Sequence, residues 1–320
     1  MPSTKVLICI PTYKRTELLR VLLDSIGRQS FARLNPREFE ISIAVFDNDP
    51  EESARQVVTE FKKIPADYQV VLEPGVVEVR NRALRLAKKT ADILIFVDDD
   101  EEATEFWFES FMEAYRKSSC GILCGSLVPI YAEGCPRWIV EGGFFARELK
   151  PDLIELKSGN SGNTLIACDV LRRHQVEFDP KFSLTGGEDV LFFAQLRAKG
   201  EKIRFARYAQ VKDHVPSSKA RVSFLLKRAF RSGGTQLIVE KRILGWWKAV
   251  PLRMGRALFL LFEAGFVLLQ APFVRRSWLK CGIKLCLAFG VFAALLGIHV
   301  KPYAYGRERK RKLFSAFMRL

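Results

Sequence analysis

The sequence has few of the residues that build metal clusters or disulfide frameworks. It contains three histidines and seven cysteines in 320 residues, and no two cysteines form a C-x-x-C pair. An odd cysteine count without paired spacing favours reduced, structural thiols over disulfides or a zinc site. The first residues, MPSTKVLICIPTYKR, lack a signal-peptide cleavage site and predict a short strand followed by a polar loop. We therefore expect this part of the chain to remain in the cytoplasm.

The composition is not that of a disordered chain, because 48% of the residues are hydrophobic. The length allows one large or two modest domains with a buried core. Charge is unevenly placed: residues 217–320 hold 21 Lys and Arg against three Glu, whereas residues 1–216 hold 30 basic and 33 acidic side chains. The basic last third indicates either nucleic acid or an anionic membrane surface as its partner.

The last third also lacks an uninterrupted run of about 20 apolar residues, the length that a membrane-spanning helix needs. Its two apolar stretches are residues 257–274, which contain Glu263, and residues 285–300. The basic link between them would have to cross the membrane in a spanning hairpin, against the positive-inside tendency. We therefore predict re-entrant or in-plane helices, the alternative being a soluble helical subdomain. The tryptophans expected at the headgroup level are Trp246, Trp247 and Trp278.

Two observations separate the membrane from nucleic acid as the partner of the basic third. Nucleic-acid binding would explain the charge but not the two long apolar stretches. The basic tail at residues 306–314 would add about 1 kcal/mol of attraction for each Lys or Arg near anionic lipid. We therefore predict an anionic membrane surface, and no nucleic acid, as the partner.

Strand-like and helix-like segments alternate along the first hundred residues. Apolar runs predict strands at residues 5–10, 41–46, 68–73 and 92–97. The predicted helices cover residues 18–26, the segment from an Asp49-Pro50 cap to Lys63, and residues 77–89. This alternation predicts βαβ units, and hence an α/β fold with a parallel sheet and helices on both faces.

Acidic residues directly follow two of these predicted strands. The segment ILIFVDDDEE at residues 93–102 runs from five apolar residues into five carboxylates. Taken alone, it favours a solvated acidic turn after a buried strand. However, ligands of parallel sheets bind beyond the carboxyl ends of the strands. We therefore expect Pro11 to Arg15, Asp47 to Asp49 and Asp98 to Asp100 to converge on one crevice.

The second half of the chain is less regular. A strand is predicted near residues 121–131, and Gly186 with Gly187 predicts a flexible turn before a helix that ends at Gly200. Glu188 and Asp189 stand at the start of that helix. Carboxylates in a first helical turn are ordinary partners of the helix dipole, so structure alone could account for Glu188.

Five motifs occur in the order and approximate spacing of the family 2 glycosyltransferases, which have a GT-A fold, and the chain resembles that family. They are CIPTYKR, VFDND, EVRNRAL, FVDDDE as the D-x-D element, and GGEDVLF. GNSGNTLI and ARVSFLLKRAFRSG add a similarity to bacterial enzymes of the succinoglycan-type exopolysaccharide group. The resemblance covers residues 5–235. It implies a GT-A, Rossmann-like nucleotide-sugar-binding domain at residues 1–235, followed by a membrane-associated helical region at residues 236–320.

The activity implied by the resemblance is inverting transfer of one sugar from a nucleotide-sugar donor, a UDP-hexose, to a lipid-linked saccharide acceptor. This transfer would serve bacterial polysaccharide biosynthesis at the cytoplasmic face of the inner membrane. The sequence lacks the family's Q-x-x-R-W motif, and KRAFRSG occupies its place, which favours single addition over processive polymerisation. A polyprenyl-phosphate sugar synthase and a non-catalytic membrane scaffold of the same fold are the alternatives.

The chemistry of the donor implies a metal ion. A departing diphosphate needs a hard divalent cation held by oxygen ligands, so Mn²⁺ or Mg²⁺ is expected. By resemblance, Asp98 meets the ribose or the metal and Asp100 binds the metal directly. His214 is a candidate for a metal or phosphate contact, although a lone histidine is more often structural.

The resemblance also distributes the remaining roles. Asp189 is the expected general base for the acceptor hydroxyl, and Glu188 either orients the acceptor or is a dipole partner. Asp47 with Thr12 is expected to hold the base and ribose, whereas Asp99 points away from the metal. Arg80, Arg228 and Arg231 are candidates for contacts with the diphosphate, since guanidinium pairs with phosphate oxygens, and the alternative for them is a solvated helix face. The full donor-binding set is Pro11, Thr12, Tyr13, Arg15, Asp47, Arg80, Asn81, Asp98, Asp99, Arg228 and Arg231.

Overall fold

The computed structural model describes residues 3–183, 185–269 and 275–298. Its strands are β1 Thr4–Thr12, β2 Phe39–Asp47, β3 Ala66–Val70, β4 Ile93–Phe96, β5 Glu101–Ala103, β6 Ile122–Tyr131, β7 Thr164–Ala167 and β8 Arg204–Val215. Its α-helices are α1 Thr16–Ile26, α2 Arg55–Glu60, α3 Val76–Thr90, α4 Trp107–Ser118, α5 Arg137–Gly142, α6 Cys168–His174, α7 Glu188–Ala198, α8 Val222–Leu244, α9 Trp246–Leu269 and α10 Arg275–Leu295.

The chain divides into two compact units. The first consists of residues 1–178 and 189–221, and the second of residues 179–188 and 222–320. Residue 235, the predicted end of the first domain, lies within α8, and the predicted domain division stays a prediction.

The first unit is built on a mixed sheet with the strand order β3-β2-β1-β4-β7-β6-β8-β5. β3, β2, β1 and β4 pair in parallel, as the alternation of strands and helices predicts. In contrast, β7 runs antiparallel to β4 and β6, and β5 runs antiparallel to β8. The parallel pairing predicted from the first hundred residues is confirmed. The second half, for which no strand direction was predicted, adds the antiparallel strands and one parallel pair, β6 with β8. Antiparallel neighbours such as β6 and β7 need no crossover connection.

Both faces of the sheet are buried, which explains why its strands are almost continuously apolar. Val6, Ile8 and Ile10 of β1 belong to the core under α1, α2 and α4. Leu7 and Cys9 alternate with them and belong to the core under α3, α6 and α7. Burial raises the pKa of the Cys9 thiol well above its ordinary value, and all seven cysteines are unpaired.

Two predicted boundaries are wrong, and the loop after β2 is involved in both. Asp49 does not cap a helix, because α2 begins at Arg55, after a turn that includes Glu52 at a φ of 57°. Asp49 instead accepts a hydrogen bond from the Glu51 N–H at 3.2 Å. The third strand ends at Val70, because the following loop is held by the Asn48 side chain. Its Nδ2 donates to the Val71 and Glu73 carbonyls, and its Oδ1 accepts from the Gly75 N–H.

The second unit contains three long helices, and two of them meet at backbone contact. A Cβ atom on Gly233 of α8 would lie 2.0 Å from the Leu287 carbonyl oxygen, and one on Gly290 of α10 would lie 1.9 Å from that of Phe230. Among the described residues, Ser277–Leu295 is long and apolar enough to cross a membrane. The ends of both predicted apolar stretches and the basic tail at 306–314 lie outside the described residues.

Candidate active site

Polar side chains after β1 and β4 meet at one edge of the sheet. The Thr12 hydroxyl donates to Asp99 Oδ2 at 2.9 Å, and Arg15 Nη1 lies 2.7 Å from Asp99 Oδ1. The same Arg15 nitrogen lies 3.1 Å from Asp100 Oδ2. These partners are 84 to 87 positions apart in the sequence, so the predicted convergence of the two loops is confirmed.

The loop after β2 joins the same edge. The Asn48 N–H donates to the Thr12 carbonyl at 2.9 Å, and Lys14 Nζ lies 3.5 Å from Asp49 Oδ1. Tyr13, between these contacts, is 55% exposed, so its ring is accessible for stacking on a base. Pro11, the remaining donor-binding candidate of this segment, lies in β1 and pairs with Phe46 of β2.

Asp47 is turned away from solvent and is completely buried. Its Oδ1 accepts from the Asp49 N–H at 2.9 Å, and its Oδ2 accepts from the Ala54 N–H at 3.0 Å and the Tyr68 hydroxyl at 2.8 Å. Burial, together with the hydrogen bond to Asp47, raises the pKa of Tyr68. These contacts make Asp47 the anchor of the loop before α2. Its predicted contact with base and ribose stays a prediction.

Two neighbours at the start of α3 point to different partners. Arg80 Nη2 lies 3.6 Å from Asp98 Oδ1, and its guanidinium lies over the Phe178 ring. Asn81 is buried, and its amide exchanges two hydrogen bonds with the backbone of Phe178, at 2.8 and 3.0 Å. The structure thus brings Arg80 to the acidic residues, while Asn81 supports the Phe178 backbone.

Burial and mutual repulsion shape the carboxylates that follow β4. Burial raises the pKa of Asp99 to about 6, against the opposing charge of Arg15. Burial likewise raises the pKa of Asp98, where Arg80 opposes it and the Asp100 and Asp189 carboxylates add to it. This edge of the sheet therefore carries excess negative charge, which a bound cation would stabilise.

Glu101, which sequence reasoning did not single out, holds the backbone of Asp98 through a hydrogen bond. Its Oε2 accepts the Asp98 N–H at 2.9 Å, and burial followed by repulsion from Asp98 raises its pKa. Gly162 leaves room for both, because a Cβ there would lie 2.9 Å from Asp98 Oδ2 and 3.0 Å from Glu101 Oε1. The GNSGNTLI motif is the sequence signal that points to this glycine.

The structure places the two residues of the E-D pair at the start of α7. Asp189 is half-buried, and it lies close enough to Asp98 for its carboxylate to raise the pKa of Asp98. Glu188 is buried and belongs to the second unit. Arg228 and Arg231 lie on α8, also in the second unit, and their predicted diphosphate contacts stay predictions.

β8 presents different groups on its two faces, as alternate residues of a strand do. His214 Nε2 lies 3.3 Å from Glu102 Oε2, and Lys212 Nζ lies 2.8 Å from Glu102 Oε1. Asp213 points to the other face, where it pairs with Glu101 of β5 and lies within electrostatic range of Asp98 and Asp100. The structure thus places Asp213 near Asp98 and Asp100, whereas the His214 ring lies beside Glu102. The predicted metal contact of His214 stays a prediction.

Lys219 is, after Glu101 and Asp213, a third site residue that sequence reasoning missed. Its Nζ lies 3.0 Å from Asp100 Oδ2. Asp213 directly precedes His214, the residue considered in the sequence analysis, and Lys219 follows it by five positions. In the part of the chain that the structure describes, the basic groups paired with Asp98, Asp99 and Asp100 are Arg15, Arg80 and Lys219.

The donor set fits a hard divalent cation. No group of three His, Cys, Asp or Glu side chains within the described part of the chain is arranged to hold a metal by itself. A Mg²⁺-like site does not need one, because one or two carboxylates together with substrate phosphates and water complete its coordination. Asp98 and Asp100 supply oxygen donors of that kind, and the excess negative charge around them favours a cation.

A comparison with protein families matches residues 7–175 to the model described as glycosyl transferase family 2. A sequence relative, the succinoglycan biosynthesis protein ExoM of Rhizobium meliloti (strain 1021), is 30% identical over 295 residues. The alignment covers 91% of this chain and 93% of that protein.

Solved structures show the same fold. The S. aureus TarS 1–349 structures in complex with UDP and with UDP-GlcNAc each have a TM-score of 0.53, with 15% and 16% identity. Each similarity covers 92% of both chains. A longer S. aureus TarS structure is matched over 89% of this chain but only 55% of its own length. At these identities the similarity shows the fold, an α/β GT-A-like fold with a mixed sheet.

Proposed function

Because the chain belongs to glycosyl transferase family 2, we propose that it is a metal-dependent, inverting hexosyltransferase of bacterial exopolysaccharide synthesis. It transfers one sugar from a UDP-hexose to a lipid-linked saccharide at the cytoplasmic face of the inner membrane. The observation that carries this proposal is the set of carboxylates after β4, held against Arg15 and Arg80 at the carboxyl edge of the parallel strands. The UDP-GlcNAc complex of the structurally similar TarS supports the choice of donor.

Asp98 and Asp100 are the residues that would hold Mn²⁺ or Mg²⁺. When bound, such a cation supplies charge that stabilises the departing nucleoside diphosphate. Arg80 would orient Asp98 and add positive charge for the diphosphate, since guanidinium pairs with phosphate oxygens. Arg15 and Thr12 position Asp99. Tyr13 would cover the base of the donor.

Asp189 would accept the proton of the acceptor hydroxyl. For inversion, that hydroxyl attacks the anomeric carbon on the face opposite the nucleotide, and its oxygen loses a proton to a carboxylate as the new bond forms. The half-buried position of Asp189, within electrostatic range of Asp98, supports this role. The absence of the Q-x-x-R-W motif supports release after a single addition.

The exposed face of α9 supports the membrane part of the proposal, because it is apolar. The fully buried residues of this helix are alanines, whereas several large apolar side chains are exposed, Phe262 to 75%. The buried alanines are Ala249, Ala257 and Ala264, and the exposed residues include Leu258, Phe259, Phe262 and Phe266. Exposed contiguous apolar surface of this kind marks a membrane or a protein partner. The positive charge of the last third favours anionic lipid.

Transfer is tested with purified chain, Mn²⁺ and a panel of nucleotide sugars. The acceptors are lipid-linked saccharides extracted from membranes and, separately, polyprenyl phosphate, and the products are read by mass spectrometry. Addition of one hexose to the saccharide, with an inverted anomeric configuration by NMR, is the expected result. A sugar on polyprenyl phosphate alone would identify the synthase instead. Release or transfer of no sugar from any donor would favour a non-catalytic scaffold.

Membrane binding is tested by vesicle flotation. The chain is expected to float with vesicles that contain phosphatidylglycerol and less with neutral phosphatidylcholine, and the triple change Phe259→Ser, Phe262→Ser and Phe266→Ser should abolish flotation. Tyr208→Ser removes an exposed ring from the first unit and serves as the control. Equal flotation of the triple variant would show that this face of α9 does not bind lipid. If the wild type sediments as a dimer and the triple variant as a monomer, this face of α9 is a protein contact.

A further inference from the structure

Lys219 lies in the turn that follows β8. Its N–H donates to the Pro216 carbonyl at 2.9 Å, and the Ala220 N–H donates to the same carbonyl at 3.3 Å. From this turn the side chain reaches Asp100, and it is 31% exposed. The ammonium thus reaches the acidic residues on a flexible four-carbon stem rather than from a buried position.

Two cations share one oxygen of Asp100. Arg15 Nη1 lies 3.1 Å from Asp100 Oδ2, and Lys219 Nζ lies 3.0 Å from it. Arg15 also lies 2.7 Å from the buried Asp99. Two carboxylates therefore fix the position of the Arg15 guanidinium. Among the described ion pairs, Lys219 is held by Asp100 alone, and it is therefore the cation more easily displaced.

A divalent cation on Asp100 would compete with Lys219 for this oxygen. The released ammonium would remain beside the position where the phosphates of a metal-bound nucleotide must lie, because those phosphates complete the coordination of a metal held by two carboxylates. An ammonium is a strong point-charge partner for phosphate. The Lys219 ammonium would then exchange one anionic partner, Asp100, for another, the phosphate, with little movement of the side chain.

We propose that Lys219 binds the diphosphate of the nucleotide-sugar donor, and that it exchanges Asp100 for that diphosphate when a divalent cation takes the Asp100 oxygen. This inference rests on the proposed nucleotide-sugar site. Lys219 is a donor-binding residue in this account, and it takes no part in proton transfer.

The exchange predicts that one substitution of Lys219 changes the affinities for UDP and for Mn²⁺ in opposite directions. Lys219→Ala should weaken UDP binding in the presence of Mn²⁺ by about 10-fold, since a charged hydrogen bond is lost. The same change should strengthen binding of Mn²⁺ alone by about threefold, since Asp100 loses a competing partner. Uridine, which has no phosphate, should bind the variant and the wild type equally.

The experiment is isothermal calorimetry at constant ionic strength, with UDP, uridine and MnCl₂ as the probes. Lys212→Ala is the matched control, because Lys212 lies on β8, shortly before the turn that holds Lys219, but pairs with Glu102. Lys219→Gln keeps much of the length without the charge, and thermal melting establishes that both Lys219 variants are folded. The glutamine variant should behave like the alanine variant.

The outcomes separate this inference from the proposed function. If the wild type binds UDP but both Lys219 variants bind it equally well, Lys219 does not contact the diphosphate. Weaker binding of UDP and of Mn²⁺ together would show that Lys219 supports the site only structurally, which also overturns the exchange. If the wild type itself binds no UDP with Mn²⁺, the proposed donor site fails, and this inference fails with it.

Discussion

Asp47 gives the sharpest test of what the structure adds to the sequence. The motif VFDND suggests a donor contact, whereas the structure shows a fully buried carboxylate with three internal hydrogen-bond donors. In Asp47→Ala, the Asp49 and Ala54 N–H groups lose their acceptor. Each hydrogen bond to a charged group contributes about 1.5–3 kcal/mol, and buried donors left unpaired add a cost. Because such terms are not additive, we expect a loss of about 4 kcal/mol in the free energy of unfolding.

A loss of that size is large enough to measure. In a unit of roughly this size, 1 kcal/mol lowers Tm by about 2–4 °C, so Asp47→Ala should lower it by about 10 °C. Thermal melting by circular dichroism measures this effect. At temperatures where the variant remains folded, its affinity for UDP with Mn²⁺, measured by calorimetry, should fall by only about threefold or less.

The opposite pattern would refute the structural role. If Asp47→Ala melts within about 2 °C of the wild type but loses UDP binding by about 100-fold, the carboxylate faces the donor in solution. Tyr68→Phe provides an independent check, since it removes one of the three donors and keeps the ring. It should lower the stability by only about 1 kcal/mol.

Three further variants test the remaining carboxylates. Asp189→Asn should lower the rate of transfer by about 10²- to 10⁴-fold with UDP affinity retained, because an amide cannot accept the proton of the acceptor hydroxyl. Loss of UDP binding would instead show that Asp189 contacts the nucleotide. Asp100→Ala should lower transfer by at least about 100-fold with little change in Tm, and unchanged turnover with Mn²⁺ or Mg²⁺ would contradict the metal role. In chelator, Asp99→Asn should remove a fall of about 3 kcal/mol in the unfolding free energy between pH 4 and pH 7, measured by denaturant titration.

The sign of the Asp99 effect follows from the direction of its pKa shift. Folding raises the pKa of this carboxyl from 3.8 to about 6, so the folded chain binds a proton more tightly than the unfolded chain does. The stabilisation is present below pH 4 and is lost as the pH rises through 6. Asparagine does not titrate, so the wild-type and variant curves should differ most in slope within that window. Parallel curves would contradict the raised pKa.

Periodicity was sufficient to predict the half of the sheet that holds the candidate donor site. Strands buried on both faces and separated by amphipathic helices form parallel βαβ units, and their loops must meet at the carboxyl edge. The contacts of Thr12 and Arg15 with Asp99 follow from that topology. Antiparallel pairing of β7 did not follow, because this strand, TLIA, is short and fully buried like β4. Strand direction depends on the connection and leaves no signal in composition.

Residue type alone could not tell inward from outward side chains within the motifs. Asp47 and Asn81 carry the polar groups expected of a donor site, yet both are buried and bonded to the backbone of other loops. Each satisfies N–H or C=O groups that an irregular loop would otherwise leave unpaired. Such a role depends on where the loop lies in three dimensions. A motif with several polar residues therefore includes residues that shape the site and residues that face the ligand, and only the fold separates them.

β8 shows the same limit at the level of one residue. His214 is the more conspicuous metal ligand in KDHVPSS, but strand alternation turns Asp213 towards Asp98 and Asp100 and turns His214 towards Glu102. The register that decides this is the pairing of Asp213 with Glu101, across 112 positions of sequence. A shift of one residue would reverse the two faces and place His214 and Lys212 beside the acidic residues. The pairing of β8 with β5 and with β6 therefore determines which face of β8 meets Asp98 and Asp100. The same pairing sets the environment in which Lys219 reaches Asp100.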